Sequence, residues 1–82
     1  MNARLRQLIS IRRVEKNLSI EQLSQLSNCS AVELIGFERG LFTLAPQKVC
    51  FVVRALAISN EELTDAVGNE AANRIQAACG EN

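Results

Sequence analysis

Residues 19–40 read SIEQLSQLSNCSAVELIGFERG, and this stretch decides the predicted fold. It contains two capping boxes, each with a serine followed three residues later by glutamine or glutamate. In such a box the hydroxyl accepts a bond from a free backbone N–H, and the longer side chain bonds back to the serine N–H. Ser19 with Gln22 predicts the start of one helix, and Ser30 with Glu33 predicts the start of the next. The stretch therefore predicts two short helices joined by a tight turn.

Helical patterns continue on both sides of this pair. Asn17, Asn28 and Gly40 stand where helices should end, because asparagine and glycine tolerate the left-handed backbone. Pro46 suits the first position of a helix, and Gly68 should end one. Apolar residues recur at helical spacing in the flanking segments, and no segment has a convincing strand pattern. The further helices are predicted over residues 2–16, 46–57, 60–67 and 69–79.

Two consecutive short helices of this kind form a helix-turn-helix pattern. Residues 18–30 resemble the lambda-repressor/Cro-like (XRE-type) helix-turn-helix family, which reads Leu-Ser, polar, Glu, Glu, Leu-Ala, two residues, Ala-Gly-Val-Ser. Residues 37–40 resemble the end of that family's third helix, and residues 55–63 resemble its Ala-Leu-Gly-Val-Ser…Glu-Leu ending. The resemblance implies an all-α, five-helix lambda-repressor-like domain over residues 1–67, with the helix-turn-helix at about 19–40. Residues 68–82 would add a short C-terminal helix and tail, a candidate dimerisation element.

The resemblance also implies a buried ion pair between Arg13 in the first helix and Glu38 at the end of the third. The alternative is that Arg13 belongs to a solvated basic face. An ion pair of Arg13 would then be exposed and would contribute little to stability.

The positions that contact DNA in this family are occupied here by unusual residues. A polar residue that grips a phosphate is usual where this chain has Ile20. Base-reading side chains are usual where it has Ala31 and Val32, and neither can donate or accept a hydrogen bond. Gly36 would allow a close approach of the backbone. Glu33 would repel phosphates unless it caps the helix or meets a cytosine amino group.

The loop after Gly40 is also apolar, where the family often has lysine and arginine. Two conformations are open for it: it projects Leu41 and Phe42 outward, or it folds inward and completes a small core with Leu44. A contiguous exposed apolar patch on a small domain usually marks a protein partner. The candidate DNA- or partner-binding face comprises Ile20, Ser30, Ala31, Val32, Glu33, Ile35, Gly36, Arg39, Leu41 and Phe42.

Two functions from different classes follow. The first is a transcription regulator that reads two half-sites of double-stranded DNA as a homodimer through its third helix. The second is a helix-turn-helix fold reused as a protein-interaction module, an anti-repressor or adaptor that binds another regulator or itself. An antitoxin function fits the small size and the acidic tail, but no specific residue supports it. The sequence leaves DNA and protein open as partners.

Composition limits the remaining classes. The 82 residues include 9 Lys and Arg against 9 Asp and Glu, and no His. The absence of histidine removes the commonest general base and zinc ligand, so we expect no enzyme, no metal and no cofactor. The neutral sum conceals two opposite parts: residues 1–54 hold 8 basic and 4 acidic residues, and residues 55–82 hold 1 and 5. Five of those eight basic residues lie in the first helix, away from the candidate face.

The N-terminal residues have no signal-peptide pattern, and no apolar run approaches the ~20 residues that span a bilayer. We therefore expect a cytoplasmic protein without a membrane partner. Cys29, Cys50 and Cys79 are widely spaced and odd in number. This argues against a disulfide framework and favours three reduced, buried residues, of which Cys79 would be the most exposed. The last helix is expected to pack on the fifth helix or on its copy in a dimer; the alternative is a frayed tail.

Overall fold

The computed structural model describes residues 3–79, and this part of the chain folds into six helices without a strand. The all-α prediction is confirmed. The N-terminal end of the first predicted helix and residues 80–82 of the tail lie outside the described residues. The helices are α1 (Ala3–Glu15), α2 (Ile20–Ser27), α3 (Ala31–Glu38), α4 (Pro46–Ala55), α5 (Asn60–Val67) and α6 (Asn69–Cys79).

Serine capping boxes begin α2, α3 and α5, and the boxes of α2 and α3 confirm the two that the sequence predicts. The hydroxyls of Ser19, Ser30 and Ser59 each accept a bond from the backbone N–H three residues later. The corresponding glutamine or glutamate returns a bond to the serine N–H, so both partners of each box are satisfied. A cap of this kind typically contributes about 1 kcal/mol. Three of the six helix starts are therefore specified by local chemistry.

Left-handed residues end the helices at the predicted asparagines and at one position that the sequence did not indicate. Asn17 and Asn28 have φ values of 57° and 56°, and Gly40 has 78°. Ala57 also has a positive φ, 55°, although alanine gains nothing there. Because Ala57 reverses the chain, α4 ends at Ala55, two residues before the approximate end that the sequence predicts.

One apolar cluster joins all six helices. The largest fully buried side chains come from α1, α2, α3, α4, the residue after α4, and α5. Their burial is the main driving force for packing these short helices, at roughly 1.5–3 kcal/mol per large side chain. They are Ile9, Leu23, Leu34, Val52, Leu56 and Leu63.

α6 packs against α4 and α5, which confirms its predicted contact with the fifth helix. It buries Ala72, Ile75 and Cys79, and Ala71 and Ala78 are half-buried.

A disulfide bond joins Cys50 in α4 to Cys79 in α6. The expectation of three reduced cysteines is therefore wrong, and so is the expected exposure of Cys79, which is buried. The error has a physical reason: a spacing of 29 residues says nothing about proximity until α6 is packed against α4. Cys29 is the free cysteine among residues 3–79, and it is buried.

Among residues 3–79, no helix combines the length and the apolarity that crossing a bilayer requires.

Candidate functional site

The solvent side of α3 and the loop after it expose four large apolar side chains, which we call the α3 face: Val32, Ile35, Leu41 and Phe42. Their exposed fractions are 68%, 36%, 70% and 49%. The loop thus takes the outward conformation for Leu41 and Phe42. Leu44 instead packs against the core. The loop therefore combines the two predicted conformations, with Leu41 and Phe42 outward and Leu44 inward.

Gly36 forms the seat of Phe42. A Cβ built at Gly36 would overlap atoms Cδ2 and Cε2 of the Phe42 ring. The Gly36 carbonyl also accepts bonds from the backbone N–H groups of Leu41 and Phe42, at 2.7 and 3.2 Å. Gly36 is buried, so its placement on an exposed face was wrong: the loop folds back and covers it. The absence of a side chain at residue 36 lets the Phe42 ring lie against α3. The sequence had suggested instead that the glycine allows a close approach to DNA.

Ile20, another member of the predicted DNA- or partner-binding face, is not fully exposed. It is half-buried and packs against the core. Together with Ile35 and Arg39 it lines a shallow depression between the start of α2 and the end of α3. Arg39 is exposed there. Arg39 thus places a positive charge at the edge of the α3 face. It is the one basic residue of the predicted DNA- or partner-binding face.

The start of α3 presents little hydrogen-bonding capacity. Ser30 is exposed; in the capping box its hydroxyl accepts from the Glu33 N–H and its own N–H donates to Glu33 Oε1, which leaves the hydroxyl hydrogen as its donor. Ala31 is half-buried. Base edges are read by donors and acceptors in the major groove, and here Ala31 and Val32 have none to offer.

Glu33 pairs with Lys48 of α4 in addition to capping α3. The bond to Lys48 and the capping bond to Ser30 lower the pKa of Glu33, and the same ion pair raises the pKa of Lys48. Glu33 therefore stays ionised at neutral pH, and its charge is compensated within the protein. Lys48, a candidate phosphate contact, is occupied by the same pair.

Arg13 and Glu38 form the ion pair that the family resemblance implies. Arg13 Nε lies 2.8 Å from Glu38 Oε2, and Nη2 lies 3.0 Å from Oε1. The side chains are 17% and 12% exposed, so the pair lies mostly inside the fold. Arg13 Nη1 also donates to the Leu18 carbonyl at 2.8 Å, and Ser10 Oγ donates to Glu38 Oε1 at 3.3 Å. The hydrogen bonds to Glu38 raise the pKa of Arg13. This network ties α1 to the end of α3 and to Leu18, which lies just before α2.

Arg12 makes a second ion pair across the fold, with Glu62 of α5. Its bond to Glu62, added to the capping bond of Ser59, lowers the pKa of Glu62 to about 2. Three cations of the basic N-terminal part, Arg12, Arg13 and Lys48, are thus paired with carboxylates inside the molecule. They hold helices together and are not displayed for phosphate contact.

A second feature, a hollow beside a disulfide, lies away from the α3 face and was not predicted from the sequence. The Cys50–Cys79 disulfide lines an open hollow of about 260 Å³ between α4, α5 and α6. Arg54 and Gln76 stand in its wall beside Val53, Ile58 and Leu63. No motif could have indicated this site, because it exists only once α6 is docked. Within residues 3–79, no group of three or more His, Cys, Asp or Glu is placed to hold a metal ion.

Comparisons of the chain with protein-family models, with curated proteins and with solved structures gave no match.

Proposed function

We propose that this chain is a small helix-turn-helix module of transcription regulation that acts by binding another protein through the α3 face. The observation that supports this most strongly is the exposure of Val32, Ile35, Leu41 and Phe42 next to the turn between α2 and α3. The partner is another regulator or a second copy of the chain, as an anti-repressor, an adaptor or an antitoxin would require.

Three side chains of the α3 face, those of Val32, Ile35 and Phe42, lie on the same side of α3. Val32 and Ile35 are three residues apart, and Gly36 is four residues from Val32, so all three lie on one side of α3. The Phe42 ring sits on Gly36 and extends this side. Removing such a patch from water is favourable at about 25 cal/mol per Å² of apolar surface. A protein partner with an apolar surface gains that energy, whereas a polyanionic duplex does not.

Sequence-specific DNA binding is the second candidate function. It is favoured by the two serine-capped helices joined by a short turn and by the exposed cation Arg39 at the end of α3. Alanine and valine contact thymine methyl groups, so the apolar start of α3 does not forbid a readout of bases. Against it stand the internal ion pairs of Arg12, Arg13 and Lys48, because affinity for DNA depends largely on cations that neutralise phosphates.

Binding to random duplex DNA separates the two candidates. A DNA-binding domain of this kind should bind at ~50 mM salt and lose affinity steeply as salt increases. We expect no such binding from the oxidised full chain, measured by fluorescence anisotropy with a labelled duplex. A steep salt dependence at micromolar protein would favour the DNA-binding function over the protein-binding one.

Substitutions on the α3 face test the protein-binding function directly. Val32→Asp and Leu41→Asp each place a charge on an exposed residue, so the core is untouched. Val14→Asp is the matched control, because Val14 is an apolar residue of α1 that is 60% exposed. We expect the first two variants to abolish association, measured as self-association by sedimentation and as binding of a purified partner captured by the unmodified chain. Equal association of all three folded variants would contradict the proposal.

A further inference from the structure

The disulfide between Cys50 and Cys79 joins two residues that are 5% and 9% exposed and lie where the core borders an open hollow. Both sulfurs belong to residues that line the open hollow between α4, α5 and α6. Arg54 lies one helical turn after Cys50 and lines the same hollow. No ion pair to Arg54 occurs within residues 3–79, so its positive charge is available to an anionic ligand.

We propose that this hollow is a thiol–disulfide exchange site for a small anionic thiol of the glutathione class, and that reduction there releases α6 from the domain. A thiol that enters the hollow comes beside both cysteines, which line it, and the Arg54 guanidinium in the same wall attracts the carboxylates of that thiol. A nearby cation also stabilises the thiolate that leaves, which is the form in which a cysteine departs and attacks. This inference is independent of the function proposed for the α3 face.

The exchange proceeds in two balanced steps. A glutathione thiolate attacks Sγ of Cys79, the more exposed of the two residues, and the sulfur–sulfur bond breaks with Cys50 leaving as a thiolate. A second glutathione thiolate then attacks the glutathione sulfur of the mixed disulfide and expels Cys79 as a thiolate. The products are oxidised glutathione and two protein thiols, which take up the two protons that the glutathione thiols gave. Two electrons pass from glutathione to the protein, and oxidised glutathione reverses the reaction.

Helix α6 depends on this bond for its position. It has 11 residues, and helices shorter than about 12–15 residues are marginal in water unless they are docked. Its buried contacts are those of Ala72, Ile75 and Cys79, of which two are small side chains. Gly68, which precedes the helix, has no side chain with which to cap it. Once the bond opens, α6 is held by its packing along α4 and α5, in which Ile75 is the one large buried side chain, and by the hydrogen bond from Gln76 to Asn60.

Cys29 provides an internal reference for the chemistry. It is buried, it lies outside the hollow, and burial raises the pKa of its thiol. It should therefore stay reduced and slow to react while Cys50 and Cys79 exchange.

The first measurement is the number of thiols in the full chain after equilibration in glutathione buffers of different ratios. Alkylation in denaturant followed by mass determination should find one thiol under oxidising conditions and three under reducing ones. Hydrogen exchange on the same samples should show residues 69–79 exchanging roughly 100-fold faster in the reduced chain, with α2–α5 still protected. Cys79→Ala should reproduce the reduced pattern without any reductant. Three thiols after oxidation, or equal protection of residues 69–79 in both states, would overturn the proposal.

The second measurement concerns the role of Arg54. Reduction rates are compared for glutathione and for 2-mercaptoethanol, a thiol without charge. Arg54→Gln should slow reduction by glutathione about threefold and leave the rate with 2-mercaptoethanol unchanged, as expected for one partly screened charge pair. Lys16→Gln removes the same charge from the exposed end of α1 and should change neither rate. An equal effect of Arg54→Gln on both thiols would refute the attraction of an anionic thiol.

Discussion

The α2–α3 segment and helix α6 are held in the molecule by different means. The segment is specified locally, by capping boxes at Ser19 and Ser30, and is tied to α1 by the Arg13–Glu38 pair. Helix α6 has one large buried side chain, Ile75, and one covalent bond to α4. Local capping therefore specifies the start of α2 and of α3, whereas α6 is held by its packing on α4 and α5 and by a covalent bond between two distant cysteines.

Removing the disulfide should have the largest effect on stability, and this effect should concern α6 and not the α2–α3 segment. Closing a loop of about 30 residues stabilises a fold by ~3–4 kcal/mol, mainly by restricting the unfolded chain. Cys79→Ala should lower the free energy of unfolding by this amount, measured by urea denaturation of the oxidised protein. A reductant should then have no further effect on Cys79→Ala but should still destabilise Cys29→Ala. A wild-type chain whose denaturation is insensitive to reductant would contradict the prediction.

Breaking the Arg13–Glu38 pair should have the next largest effect, on the other side of the comparison. Glu38→Ala leaves the Arg13 guanidinium mostly buried without its carboxylate, which should cost about 2–4 kcal/mol. Glu38→Gln keeps the shape and some of the hydrogen bonds, so its loss should be smaller. The melting temperature followed by circular dichroism measures both losses, in the oxidised and in the reduced chain. An unchanged melting temperature for Glu38→Ala would show that the pair does not stabilise the segment.

The smallest expected effect concerns the Arg12–Glu62 pair, which joins α1 to α5. The folded pKa of Glu62 is about 2, below its ordinary value of 4.5. Its contribution to stability is therefore complete above pH 4.5 and is lost as the pH falls toward 2. In Arg12→Gln the Glu62 pKa should rise toward 4.5, without reaching it because Ser59 still donates its capping bond.

A carboxyl-detected NMR titration of Glu62 measures this shift. Lys16→Gln serves as the control, since it removes a nearby positive charge of α1 without breaking the pair. Equal Glu62 pKa values in Arg12→Gln and in the unmodified chain would mean that the capping bond alone lowers the pKa.

The sequence predicted most of the fold because most of its signals act over three or four residues. Ser19, Ser30 and Ser59 begin helices, and Asn28 and Gly40 reverse the chain, as expected of their side chains. The exposure of Val32 on the candidate face had been implied by the family resemblance.

The rest depends on contacts between distant segments. The loop covers Gly36 because Phe42 folds back on α3, and the half-burial of Ile20 depends on how α2 packs. The disulfide required α6 to dock before Cys50 and Cys79 could meet. None of these follows from the pattern of the residues involved. The family resemblance had implied the Arg13–Glu38 pair, which is a long-range contact, because it supplied a fold along with the motif.

The seat of Phe42 on Gly36 has a consequence for how this chain can change. The Phe42 ring occupies the space that a Cβ at residue 36 would need. The residue that fits at one of these positions therefore depends on the residue at the other. A methyl group added at residue 36 must displace the ring, and a smaller residue at 42 would uncover the α3 backbone. Substitutions at the two positions should therefore be strongly non-additive. A lineage that enlarges residue 36 would have to reduce residue 42, and in doing so it would redraw the α3 face.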